Sequence, residues 1–165
     1  MKALGIIFSN IHNETIDELT RKRTSASIPF GGRYRLIDFS LSNIVSADIV
    51  NVGILAQNNY QSLMDHLGSG KIGIYLEETL YSNRLEALIS IRGYIEKNKE
   101  DLVVLMDCDS ANVIDLNDVL EQHVANQADI TIIYRHGKCG SDMASHMDLK
   151  MDETGRVIKA DLKSK

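Results

Sequence analysis

The sequence has no tryptophan, one proline and two cysteines in 165 residues, and it has no apolar run long enough to cross a bilayer. Cys108 and Cys139 do not form a metal-ligand spacing, so a reducing cytoplasm is the expected compartment. The apolar stretch within "MKALGIIFSNIH" is too short for a signal peptide or a membrane span. Eighteen Lys and Arg against 23 Asp and Glu give a formal charge of −5, without a long block of one sign. That balance argues against a general nucleic-acid footprint and against binding to a membrane surface. Arg21-Lys22-Arg23 is the one basic knot. His12, His66, His123, His136 and His146 show no ligand spacing, and no Ser, Cys or His constellation for covalent catalysis is legible. His123 lies on the apolar stripe of a helical pattern and reads as a packed core residue.

With 44% apolar residues, the chain is long enough for one core and too short for two comfortable domains. Ala3 to Phe8 is a short continuous apolar run of the kind buried on both faces of a sheet. Ile49 to Ala56, Leu102 to Met106 and Ile130 to Tyr134 have the same character. Helical patterns separate them: Ile37, Leu41, Ile44 and Val45; then Leu85, Leu88, Ile91 and Ile95; then Leu116, Val119, Leu120, His123 and Val124. Alternating strands and helices imply an α/β fold with a mainly parallel, Rossmann-like sheet flanked by helices. The tail changes style around Glu153-Thr154-Gly155 and reads as a C-terminal β-hairpin. The expectation is one partial domain over residues 1–165, cut from a longer protein.

Ligands of open α/β sheets sit outside the carboxyl ends of the strands, which directs attention to the segments after Phe8, Ala56 and Met106. From Ser9 to Tyr34 about 25 residues lack a strand pattern, and loops beyond roughly 12 to 15 residues are usually functional or disordered. Within this stretch the lone Pro29 fixes φ and biases Ile28 toward extended geometry, while Gly31 and Gly32 permit angles and close approaches that a Cβ forbids. The basic knot beside that corner suits an anion, or is a solvated cluster. After Met106, Asp107 and Asp109 could share a hard divalent cation with phosphate oxygens, or form a turn.

"PFGGRYRLIDFSLSN" (29–43) resembles the "PFGGKYRLIDFPLSN" signature of the ADP-glucose pyrophosphorylases, which make ADP-glucose and pyrophosphate from ATP and glucose 1-phosphate. "VGILAQNNYQSLMDHL" (52–67) and "DETGRVIK" (152–159) are similar to further segments of that family, so nearly the whole chain is covered. The resemblance implies a nucleotidyltransferase fold. It implies a nucleotide pocket that draws on Arg23, Pro29, Gly31, Gly32, Gln57 and Glu86, a sugar-phosphate contact at Lys163, and magnesium at Asp109 with Asp107 beside it. It also implies assembly into homo- or hetero-oligomers through parts that lie beyond this sequence.

The departures from that pattern bear on activity. Where the family has the phosphate loop "G-G-x-G-T-R-L", an ungapped reading gives Asn10, Ile11, His12, Asn13, Glu14, Thr15 and Ile16. The three glycines and the arginine are absent. "R-A-K-P" becomes Arg23, Thr24, Ser25 and Ala26, which keeps the arginine and loses the lysine. The base-binding "G-T-A-D-A" becomes Asn83, Arg84, Leu85, Glu86 and Ala87. "S-G-D-H" becomes Asp107, Cys108, Asp109 and Ser110, and the neighbour expected to be glutamate beside Lys163 is Leu162. This set of losses resembles the GlgD-type subunits, partners thought to modulate a catalytic subunit of ADP-glucose pyrophosphorylase. Three functions are compatible with these residues: a catalytically weak regulatory subunit, a working adenylyltransferase with an aberrant loop, and a nucleotide-sugar glycosyltransferase using Asp107-Cys108-Asp109. The long match around Pro29 argues against the third.

Overall fold

In the computed structural model, β1 (Ala3–Phe8) is buried along its whole length because strands pair with it on both edges and helices cover both faces. Residues 2–9, 17–56, 58–68, 73–76, 81, 83–108, 111–137 and 145–164 are described by the structure. The chain forms two compact units, 1–129 and 130–165.

In the first unit, β1 pairs in parallel with β4 (Asn51–Ala56) and with β6 (Leu102–Asp107), and β4 pairs in parallel with β5 (Gly73–Leu76), giving the order β5-β4-β1-β6. Alternate residues serve two cores, as the period of a strand requires. Leu4, Ile6, Phe8 and Leu55 pack with Ala87 and Ile91 of the segment holding α4 (Arg84–Ser90) and α5 (Arg92–Lys97). Ala3, Ile7, Val52, Ile54 and Met106 pack on the other face with α2 (Leu36–Ser46) and with Leu116 at the start of α6 (Leu116–Ala125). The expected parallel α/β sheet is present.

Three local expectations are corrected. The apolar period places Ile37, Leu41, Ile44 and Val45 on the inner stripe of α2, but Val45 is exposed, and Ile37, Ser40, Asn43 and Ile44 are the buried set. Ser40 and Asn43 are buried because each finds a hydrogen-bond partner across the fold, which a count of apolar residues does not register. The pattern from Leu85 to Ile95 is two short helices meeting at Ile91, not one. Residues 130–134 form neither strand nor helix, and Ile130 is 81% exposed. Its composition suits a strand, but composition alone does not select the backbone conformation, because strand preference depends on what the segment packs against in the fold.

The remaining elements of the first unit are α1 (Asp17–Thr20), a 3₁₀ turn (Ser25–Ser27), the short pair β2 (Pro29–Phe30) and β3 (Tyr34–Arg35), and α3 (Gln61–Leu67). The second unit carries the expected hairpin of β7 (Ser145–Met151) and β8 (Val157–Ser164). Asp152 builds its turn, accepting at Oδ1 from the Thr154 amide (2.9 Å), the Thr154 hydroxyl (2.6 Å) and the Arg156 amide (3.0 Å). These bonds, the Thr154 hydroxyl foremost, hold the Asp152 carboxyl below the ordinary aspartate range. No helix among the described residues is long and apolar enough to cross a membrane.

Candidate functional site

The carboxyl ends of β1, β4 and β6 meet at Ser9, which is fully buried. Its Oγ and its amide both donate to the Leu55 carbonyl, at 2.7 and 3.0 Å. Its carbonyl accepts from the Ala26 amide (3.2 Å) and from the Cys108 thiol (3.5 Å). One residue thus ties together three strand ends and the 3₁₀ turn. Thr24, Ser25, Ala26 and Ser27 are all buried on this rim, and the Ser27 hydroxyl closes the turn by donating to the Thr24 carbonyl at 3.0 Å. Small hydroxyl residues suit such a position because each can satisfy a backbone group without adding bulk.

Pro29 follows directly, and Gly31 and Gly32 make the bend between β2 and β3 with φ of 57° and 96°. Among the described residues nothing lies within 4 Å of a Cβ placed on either glycine. Their requirement is the left-handed backbone of the turn, and no other described part of the chain makes the close approach expected there. Arg35 ends the bend and opens α2. The Asp38 side chain accepts from the Arg35 amide (2.8 Å), which is half of a capping box, since a guanidinium has no acceptor to return the bond. Asp38 also meets His66 Nε2 at 2.7 Å, and the Arg35 guanidinium donates to the Ser62 hydroxyl (2.8 Å) and carbonyl, joining α2 to α3.

The basic knot follows α1. Asn59, in left-handed conformation with φ of 60°, donates to the Thr20 and Arg21 carbonyls and so fastens the knot beside the loop that leaves β4. Arg23 is half-buried there, and Gln57 lies outside the described residues. On the β6 side, Ser40 Oγ donates to the Asp107 carbonyl (2.9 Å). Asn43 donates to both oxygens of Asn112 and accepts from the Ile114 amide, pinning the chain beyond β6 to α2.

Asp107, expected as a metal carboxylate, is held by the Arg84 guanidinium through Nε to Oδ1 (3.0 Å) and Nη2 to Oδ2 (2.7 Å). Arg84 is the first residue of α4. Asn83, its N-cap, accepts from the Glu86 amide at 3.0 Å, and the Glu86 side chain is exposed one turn into the helix. Asp109 and residues 10–16, the segment matched to a phosphate loop, lie outside the described residues. Among the described residues no three His, Cys, Asp or Glu side chains are grouped to hold a metal ion. Lys163 belongs to the second unit, exposed on β8 opposite His146.

The rim therefore assembles Ser9, the buried turn up to Pro29, Asp107 and Arg84, with Asn59 bringing the basic knot beside the exit from β4. Sequence reading missed Ser9, Ser40, Asn43 and the pairing of Arg84. For Asn83 a signal existed, an asparagine three residues before a glutamate at a helix start.

A family model described as nucleotidyl transferase matches residues 14–145. The glycogen biosynthesis protein GlgD of Geobacillus stearothermophilus is 34% identical over 153 residues, covering 83% of this chain and 45% of that protein. GlgD of Bacillus subtilis is 53% identical over 68 residues, 41% of this chain and 20% of that one. The glucose-1-phosphate adenylyltransferase of Pseudothermotoga lettingae is 32% identical over 146 residues, 79% of this chain and 35% of that enzyme. The chain spans less than half the length of each of these relatives.

Proposed function

Because the chain belongs to the nucleotidyl transferase family, we propose that the protein it represents is a regulatory subunit of ADP-glucose pyrophosphorylase in glycogen biosynthesis, with little or no catalysis of its own. The observation that carries this reading is Ser25. It stands where the resembling enzymes present a lysine to phosphate, and it is 4% exposed inside the turn on Ser9. A buried hydroxyl there supplies no cation. One preorganised charged donor is worth on the order of a hundred- to a thousandfold in rate, so losing this lysine, the loop arginine at Thr15 and the three loop glycines together removes most of the means to stabilise a leaving pyrophosphate.

In this reading Arg23, Pro29, Gly31, Gly32, Gln57 and Glu86 are the residues that would meet a bound nucleotide, and Lys163 would meet a sugar phosphate. Magnesium, were it held at Asp109, would neutralise phosphate charge. The partner is a catalytic homologue, met in a hetero-oligomer. The second reading, an active glucose-1-phosphate adenylyltransferase, is favoured by the Pro29–Asn43 signature, which departs from the family's only at Arg33 and Ser40, and by the retained Arg23.

The test is pyrophosphate release from ATP and glucose 1-phosphate by the full-length protein, alone and mixed with a catalytic homologue. The expected result is turnover far below the roughly 1 to 1,000 per second usual for enzymes when it is alone, with altered turnover of the partner when mixed. Ordinary turnover by the protein alone would establish the second reading instead.

A further inference from the structure

Both oxygens of Asp107 are occupied by one guanidinium. The two contacts, 3.0 and 2.7 Å, form the side-on fork in which arginine matches a carboxylate, and that geometry is stronger and more directional than a single ion contact. Both partners are anchored. Asp107 pairs in register with Phe8 at the end of the sheet, and its carbonyl is fixed by Ser40. Arg84 issues from a helix start capped by Asn83, and its Cζ lies 6.0 Å from the centre of the Phe8 ring. The aromatic face adds a second attraction for the cation in the same position.

A divalent cation approaching Asp107 meets a carboxylate already neutralised and must displace Arg84 to gain an oxygen. We propose that Arg84 is a built-in counter-cation that withholds the Asp107 carboxylate from divalent metal. The inference rests on reading the rim as the family's nucleotide side. The pair is not deeply buried, its side chains being 57% and 34% exposed, so the fork is reachable by solvent and ions. What keeps metal away is competition for the two oxygens rather than a barrier to entry.

The experiment uses the full-length protein and Mn²⁺ alone, with free Mn²⁺ read by electron paramagnetic resonance in the absence of nucleotide. Arg84→Gln removes the charge while keeping a long polar side chain at an exposed position. It is expected to bind Mn²⁺ about tenfold more tightly than the native protein at one site, a difference of about 1.4 kcal/mol. Adding Asp107→Asn to it is expected to abolish the gain. Asp107→Asn in the native background is expected to leave Mn²⁺ binding unchanged, and this arm stands even if Arg84→Gln does not fold. No gain in Arg84→Gln overturns the proposal, as does a gain that survives the loss of Asp107, or a loss of Mn²⁺ binding on Asp107→Asn alone. None of these outcomes depends on turnover. An active parent protein would refute the regulatory reading and leave the counter-cation untouched, whereas failure of the counter-cation would leave the argument from Ser25 intact.

Discussion

Replacing Asn43 with alanine should destabilise the protein by about 2 kcal/mol, a value that follows from the bonds lost. Asn43 is 5% exposed, and its amide nitrogen donates to the carbonyl and to the side-chain oxygen of Asn112, both at 3.2 Å. These distances are at the long end for N–H···O bonds, so together they are assigned about 1 kcal/mol. Its oxygen accepts from the Ile114 amide at 3.1 Å, a bond that contributes about a further 1 kcal/mol, because alanine leaves a half-buried N–H without its partner. Hydration of the exposed Asn112 keeps the total from rising further. A loss of this size lowers Tm by roughly 4 to 8 °C for a chain of this length. The assay is urea denaturation followed by far-UV circular dichroism, where the midpoint should fall at unchanged slope. Asn112→Ala removes only one exposed acceptor and should cost less than about 0.5 kcal/mol. A cost below about 0.5 kcal/mol for Asn43→Ala, or an equal cost for the two variants, would refute the claim that Asn43 pins the backbone beyond β6.

Gly53→Ala should cost about 1 to 3 kcal/mol, since its Cβ would stand 2.8 Å from Tyr94 Cε1 and 3.1 Å from Ile6 Cδ1. Gly5→Ala should stay within about 1 kcal/mol of the native protein in the same denaturation assay, because the atom met at 2.9 Å is the mobile end of Ile44 and the stiffer unfolded chain offsets part of the strain. Asp38→Ala removes the acceptor of the Arg35 amide and the partner of His66, and should lose about 1 to 3 kcal/mol, with Asp38→Asn losing less because its amide oxygen can still cap. At the hairpin turn, the folded-state pKa of Asp152 is depressed, so its stabilisation is present above the ordinary aspartate value of about 4 and is lost as pH falls through the lower folded value. Amide exchange at Thr154 and Arg156 should accelerate over that acid range in the native protein, whereas Asp152→Ala should exchange fast throughout; pH-independent protection in the native protein would refute it.

Features carried by short-range pattern were legible in the chain. β1 and β6 read as strands from continuous apolar runs, although only β1 is buried on both faces and Val103 and Leu105 of β6 are exposed, and β7 and β8 read as a hairpin because Asp152 to Gly155 can close a turn with its own neighbours. The long signature that begins at Pro29 led to the nucleotidyl transferase family. What misled was the same local rule applied alone. Val45 fits the apolar stripe of α2 and faces solvent, and Ile130 to Tyr134 has the composition of a strand but forms neither strand nor helix.

The polar clamps of the rim belonged to the tertiary structure. Ser9 meets Leu55 across 46 positions, Ser40 meets Asp107 across 67, Asn43 meets Asn112 across 69, and Cys108 returns to Ser9 across 99. Helical and strand periods relate residues a few positions apart, and those were set by the chain itself. A buried hydroxyl or amide is stable only beside its partner, and an ionic fork exists only where two distant side chains converge. The order β5-β4-β1-β6 creates those neighbourhoods, which is why the amino-acid pattern determined β1, β4, β6, the hairpin and the family, while folding alone decided that Arg84 answers Asp107 and that Ser25 lies inside.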